Sequence, residues 1–423
     1  MDQRIISFKY LTDFHCIADQ CEDHCCGHWK IFYDPPSLQI LKNKVGDAGL
    51  SEIVSFETIG DRTVVQLKLN KQQNCTMLDD NGLCSIHSLY GEEALANTCA
   101  SFPRRINYGA DVELTASLAC PEIARKCLQN SDAVDFVFGD DLVNEKKLQV
   151  FDNRYDATTS DPYLSNNNDI RNLMYELLNL EGFSIAQKFF IVSSFASDVS
   201  KFYFRDSPNY SEQQLVESVN RITDFDYVKK LVEEFDELDV KPHTAIELVQ
   251  LVLNARIVSG TEYYSVLNEL IAEIAGLLKS DARTGNDNND LFVNIYQEIK
   301  HQISLKHEQR IEQYFTNYAR NAIISEWYVS DDNLMKYLQL MSVRIILLKF
   351  LLFCHPKLLK RYNEGLTLKG VTEDELDAIA VDVFYKFTRG IEHDKVFFQS
   401  IQKAVLNKPE LLSLAFLTYL LKF

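Results

Sequence analysis

Apolar positions follow two different periods along the 423-residue chain, and the period changes near residue 130. In the first part the patterns are short. Thr63 to Leu69, TVVQLKL, alternates apolar and polar side chains and predicts the best-defined strand. IFYDPPS, beginning at Ile31, alternates and then stops at Pro35 and Pro36, so a short strand ending in a turn is expected, with Ser37 capping a helix begun by LQILKNKV. In CTMLDDNGLCSIH, residues Asp80, Asn81 and Gly82 lie between two short apolar runs, a hairpin pattern that places Cys75 and Cys84 on opposite arms. A short helix over Tyr90 to Thr98 then delivers Cys99, and Pro103 stops it. A strand from Val112 to Ser117 leads to ACPEIARKCL, where Pro121 suits a first helical turn and Cys120 falls at the helix N-terminus, a place that stabilises a thiolate.

Beyond residue 131 the period becomes helical, over Ile170 to Phe204, Ser211 to Phe235, Thr244 to Lys279, Leu291 to Trp327, Asn333 to Phe353, Glu373 to Arg389 and Lys395 to Leu421. The Asn- and Asp-rich stretches 152–169 and 280–290 read as loops, and no repeat of fixed period is evident. The expected architecture is mainly α: a small cysteine-rich α/β region over residues 1–130 and a helical bundle over 131–423.

Composition narrows the partners. A hydrophobic content of 46% supports a large core, and the net charge of -18 argues against nucleic acid, whose phosphates need a basic footprint. A lysine-rich protein partner suits such a field. The first fifteen residues carry charges throughout and lack the apolar core of a secretory signal, so a cytoplasmic protein is expected. The most apolar window, Leu338 to Phe353, contains Arg344 and Lys349 and falls short of a spanning helix, so membrane insertion is not expected.

The candidate chemistry is thiolate chemistry. CIADQCEDHCCGHW supplies Cys16, Cys21, Cys25 and Cys26, and Cys75, Cys84, Cys99 and Cys120 follow, so eight of the ten cysteines fall in the first 120 residues. In a reducing compartment such clustering points to metal ligation rather than disulfides. Soft thiolates select zinc, copper(I) or an iron–sulfur cluster, and spacing alone does not separate these. Eight thiols make two four-coordinate sites, or one site with spares. His15, His24, His28 and His87 are further possible ligands, and Arg104 and Arg105 could counter the thiolate charge. Cys127 and Cys354 lie outside the pattern and read as ordinary core or surface thiols. None of the fifteen glycines forms a G-x-G pair, which excludes the dinucleotide fingerprint and the P-loop. A radical-enzyme triplet C-x3-C-x2-C, counted from Cys21 and Cys25, meets His28 at its third position.

FHCIADQCEDHCCGHWKIFYD, CTMLDDNGLCSIHSLYGEEALANTCASFPR and ACPEIAR together resemble the flagellin lysine-N-methylases, and the cysteine runs also resemble small zinc- or iron-chelating proteins. IEQYFTNYARNAI and FYKFTRGIEHD are similar to the methylases' helical region. The resemblance implies methyl transfer from S-adenosylmethionine to lysine ε-amines of flagellin, with an iron–sulfur cluster, such as a 4Fe–4S cluster, or zinc held by cysteines among the eight. A lysine with a reference pKa of about 10.4 must lose its proton before it can attack. Base candidates are Glu312, Tyr314 and Tyr318 in IEQYFTNY, and Arg389, Glu392 and His393 in RGIEHD. The competing expectation is a non-enzymatic metal-binding or redox-sensing protein whose helical part binds a partner.

Overall fold

The computed structural model describes residues 4–27, 29–108, 111–139, 149–151, 165–204, 209–239, 242–258, 265–280, 288–326, 334–391 and 413–423. It is mainly α with two small sheets, as the periodicity predicts. His28, Glu392, His393 and residues 395–412 of the Lys395–Leu421 stretch lie outside the described residues.

Strand β1 (Ile5–Phe8) runs into the short helix α1 (Lys9–Thr12), and the first cysteine loop follows. Helix α2 (Pro35–Ile53) is next, bent at Gly46, whose φ of 71° lies in the left-handed region. Its cap differs from the expectation. The Asp34 carboxylate accepts from the Ser37 N–H at 3.0 Å, and Pro35 and Pro36 occupy the first turn, where no N–H is needed. The helix therefore starts before Ser37, and Phe32 makes only an isolated bridge to Gln66 where a strand was expected.

Strands β2 (Val54–Ile59) and β3 (Arg62–Leu67) form a separate antiparallel ribbon. The expected 75–84 hairpin is reduced to one isolated bridge, Leu78 to Cys84, around a turn in which Asp79 accepts from the N–H groups of Asn81 and Leu83, and a separate bridge joins Leu69 to Cys75. The single helix expected over Tyr90–Thr98 is instead α3 (Ser85–Tyr90), a 3-10 turn, and α4 (Asn97–Ser101). Gly91, at φ 84°, breaks the run.

Strands β4 (Arg104–Tyr108) and β5 (Val112–Ala116) pair antiparallel, and β5 lies parallel to β1. After helix α5 (Pro121–Gln129) come β6 (Phe136–Phe138) and β7 (Gln149–Phe151), completing a sheet of order β6-β1-β5-β4-β7.

The helical part splits several of the predicted stretches. Ile170–Phe204 becomes α6 (Asn167–Leu177) and α7 (Ile185–Val199), divided at Gly182 and restarted by a Ser184–Gln187 capping box. Ser211–Phe235 becomes α8 (Glu212–Thr223) and α9 (Phe225–Asp236), with Asp224 capping the second. Then follow α10 (Pro242–Val258), α11 (Ser265–Ser280), the long α12 (Asn288–Ser325) kinked at His307, and α13 (Leu334–Phe353). The chain continues through α14 (Pro356–Asn363), α15 (Glu373–Ile391) and α16 (Leu414–Leu420). Among the described residues no single helix is long and apolar enough to cross a membrane. The pair α13 and α14 passes by length and composition with a 44° bend.

Among the described residues two apolar cores result. A small one joins Ile31, Leu41, Leu50, Ile53, Leu67 and Ile86 beneath the cysteine segments. The large one runs from Phe8 through β5 and α5 into the helices, so the sheet packs with the bundle. Polar contacts reinforce the join. The Tyr10 hydroxyl accepts from Ala116 N–H and donates to Asn321 of α12 at 2.8 Å, and Arg171 of α6 makes a two-pronged pair with Glu113 of β5.

Candidate thiol centre and the adjoining cavity

The eight cysteines of the sequence pattern come from separate segments that fold towards one another. The first loop is stitched to the second segment by the Cys75 N–H, which donates to the Cys26 carbonyl at 2.8 Å. Gly27 makes the approach possible. A Cβ there would stand 2.4 Å from Asn74 Oδ1 and 2.8 Å from the His24 ring, so no larger residue fits without displacement. Trp29 closes the loop by donating from Nε1 to the Cys25 carbonyl at 2.9 Å, with its ring edge-on to Phe102. Asp34, having capped α2, turns its other oxygen to the Asn97 N–H at 2.9 Å and so fixes the start of α4, the helix that carries Cys99.

The charge of Cys84 acts on Cys26, Cys75 and Cys99, that of Cys16 on Cys21 and that of Cys21 on Cys120, while the charge of Cys25 reaches both Cys84 and Cys120. Cys25 and Cys26 bring their sulfurs to 3.9 Å. Sharing a proton splits this pair. The hydrogen bond from Cys26, aided by Arg389, lowers Cys25, and Cys26 is pushed up. Burial, and then neighbouring thiols, raise Cys99 well above the ordinary thiol range.

Cys120 caps α5 with Pro121 at the first helical position, as the sequence predicts. The helix N–H groups favour its thiolate as the sequence predicts, and burial opposes them. Burial pushes the thiol up to about 12, outweighing the N–H groups of Ile123 and Glu122 that favour the thiolate. A dehydrated helix N-terminus is thus too weak by itself to hold this sulfur charged.

The donor set suits a soft cation. All ten cysteines are free. Backbone N–H groups face five of the eight sulfurs: Asp23 faces Cys21, the N–H of Cys25 faces its own sulfur, Met77 faces Cys75, Ile86 and His87 face Cys84, and Ile123 and Glu122 face Cys120. Such donors stabilise thiolates, and the burial that opposes ionisation is what a bound cation would offset. His24 Nδ1 is buried in the same loop with no hydrogen-bond partner among the described residues. In the present geometry, no three His, Cys, Asp or Glu side chains among those residues are gathered closely enough to hold an ion.

Other sequence candidates take different places. His15 and His87 are exposed. Arg104 lies over the Phe14 ring at 5.0 Å. Cys127 and Cys354 are buried in the large core. Tyr314 and Tyr318 are also buried there. Tyr314 donates to Asp377, which forms a two-pronged pair with Arg310 at 2.8 and 2.7 Å, and Tyr318 meets Phe384 edge-on. Burial and the Asp377 contact raise the Tyr314 hydroxyl, so its proton is held tightly. Glu312 accepts from the Ile185 N–H at the start of α7.

IEQYFTNYARNAI supports the thiols from a distance. The Arg310 guanidinium, just ahead of it, and the Gln313 and Asn317 amides donate to the carbonyls of Gln129, Leu128, Cys127 and Asn130, closing the C-terminal end of the helix whose other end is Cys120. Arg389 donates to Asp23 at 2.6 Å and to the Ala119 carbonyl at 2.8 Å.

A cavity of about 370 Å³ opens beside this junction, between α11, α14 and α15, with Glu22 of the cysteine loop in its wall. Asp382 accepts from Lys386 at 2.8 Å and faces His355 Nε2 at 3.3 Å, while His355 Nδ1 accepts from Lys357 N–H and caps α14. Burial opposes the Asp382 charge, but these donors win and hold its pKa below the ordinary value. The sequence reading missed this group. Its only local signals are the His355–Pro356 helix start and the Asp382–Lys386 spacing of one helical turn.

Residues 171–420 match the model of the FliB lysine N-methylase C-terminal domain. The chain is 34% identical over 137 residues to the flagellar biosynthetic protein FliU of Salmonella muenchen, covering 30% of this chain and 77% of that protein. At the same identity over 137 residues it matches the lysine-N-methylases of Salmonella choleraesuis strain SC-B67 and Salmonella typhimurium strain LT2, covering 30% of this chain and 32% of each. The match thus spans less than a third of those two relatives. No solved structure matches the chain. With the family model covering more than half of its length, the chain belongs to the FliB lysine N-methylase family.

Proposed function

We propose that the protein transfers methyl groups from S-adenosylmethionine to lysine ε-amines of flagellin in the cytoplasm, with a thiolate-held iron–sulfur cluster fastening its N-terminal region. The observation that carries the methylase reading is the family match over residues 171–420, and relatives named lysine-N-methylase support it. The cluster reading rests on the clustering of Cys16, Cys21, Cys25, Cys26, Cys75, Cys84, Cys99 and Cys120 in the sequence and on the N–H groups aimed at the sulfurs of Cys75, Cys84 and Cys120. When bound, such a group would cross-link these segments and compensate the thiolate charge.

In the reaction the deprotonated lysine nitrogen forms a bond to the methyl carbon. The carbon–sulfur bond breaks with its electron pair going to sulfur, so the sulfonium leaves as a neutral thioether and the lysine proton passes to a base or water. The excess of acidic residues favours approach of a lysine-bearing partner.

Anaerobically purified, metal-loaded protein, incubated with flagellin and methyl-labelled S-adenosylmethionine, is expected to place label on flagellin lysines. Retained metal without any transfer would favour the non-enzymatic reading.

A further inference from the structure

The cavity beside the thiol junction has a wall of balanced charge. Glu22, Glu273 and Asp382 face it, and so do Lys357, Lys360 and Lys386. Lys360 and Glu273 pair at 2.8 Å near the solvent, with about half of each side chain exposed. Lys386 and Asp382 pair further in, at 21% and 29% exposure. A ligand of one sign meets as much repulsion as attraction here, whereas a zwitterion finds an opposite charge for each of its ends. Leu270, Val381 and the Tyr385 ring supply an apolar face. At about 370 Å³ the space lies in the usual range for a nucleoside-sized ligand and exceeds what one lysine side chain fills. Its carboxylates would also hold the proton on an incoming lysine amine, the opposite of what methylation needs.

We propose that this cavity binds the methyl donor, with its α-carboxylate against the lysines, its α-ammonium against the acids, and its adenosine on the apolar face. The assignment rests on the methyltransferase reading above and adds the place of binding to it. Glu22 directly follows Cys21, and its carboxylate is held by Arg125 of α5, so the cavity wall is built partly from the thiol loop. His355 faces Asp382 through one ring nitrogen and is tied to the backbone through the other, so it positions that carboxylate.

The test is calorimetric titration of the full, metal-loaded chain with S-adenosylmethionine, S-adenosylhomocysteine and 5′-methylthioadenosine, the last lacking the zwitterion. Wild-type protein is expected to bind all three, the last most weakly, and Lys386→Gln to weaken the first two by about tenfold or more while leaving 5′-methylthioadenosine unchanged. Lys357→Gln, at an exposed position, is expected to act in the same direction and serves should the first variant fold poorly. Full affinity in both variants would overturn the cavity assignment and leave the methylase reading standing. Weakened binding of a lysine peptide, with donor binding intact, would overturn it in favour of the substrate. Failure of wild-type protein to bind any of the three would overturn the methylase reading itself.

Discussion

Arg389 and Asp23 lie 366 positions apart in the chain and meet at 2.6 Å, the guanidinium Nη1 donating to the carboxylate in the middle of the first cysteine loop. The same arginine donates from Nε to the Ala119 carbonyl, one residue before Cys120. A single side chain in the last turn of α15 therefore fastens two thiol-bearing segments to the helical bundle. The pair is largely shielded, at 11% and 17% exposure, so water screens it little.

Arg389→Ala is expected to leave the Asp23 carboxylate without its main partner and to free the Ala119 carbonyl. A cost of about 2–3 kcal/mol is expected for losing hydrogen bonds made by a charged group. The urea midpoint should fall, and metal content should fall with it because the Cys21–Cys26 loop loses its anchor. Unchanged metal retention would show that the loop holds its shape without the bundle.

Tyr314→Phe separates a strut from a base. The hydroxyl is buried and donates to Asp377, so its loss is expected to cost about 1 kcal/mol and to leave the pH profile of methyl transfer as it was. Transfer abolished in a variant of unchanged stability would restore Tyr314 as the group that takes the lysine proton.

Lys300 gives a pH signature. It is half-buried, its amine donates to the Lys422 carbonyl at 2.7 Å, and burial first and Lys349 second lower its pKa to about 7. Between about pH 7 and 10 the unfolded chain holds a proton on this amine that the folded chain does not. Stability from this group is therefore present above the unfolded value and lost as pH falls through 7. Lys300→Met is expected to flatten the rise in denaturation midpoint across that window, and an unchanged slope would show that the amine stays charged inside.

Cys21→Ala and Cys354→Ala should part company. Iron and acid-labile sulfide, measured after anaerobic purification, are expected to drop in the first and to match wild type in the second, whose thiol is buried among the helices. Stoichiometric zinc without sulfide in the wild-type protein would replace the cluster with a zinc site.

The sequence was most legible where one residue's chemistry decides a local conformation. Pro121 fixed the start of α5 and placed Cys120 at its cap, and the helical period of Glu373 to Arg389 is nearly the observed α15. Legibility failed where two local devices compete. Ser37 and Asp34 are both good caps, and Asp34 prevails because prolines at 35 and 36 already suit the first turn and its second oxygen serves α4. Gly91 and Asp224 break apolar runs that periodicity alone joins. The eight thiols could be named from their clustering. Their support could not, because Arg310, Gln313, Asn317 and Arg389 reach them from 180 or more residues away and resemble any solvated helix face in the sequence. The same holds for the cavity, whose wall is assembled from Glu22 and three distant helices.

The most direct measurement is the intact mass of flagellin produced together with the full chain, compared with flagellin produced alone. The account predicts a ladder of methyl increments that maps to lysine residues and disappears when the chain is omitted. Flagellin of unmodified mass, recovered beside folded, metal-loaded protein, would contradict it.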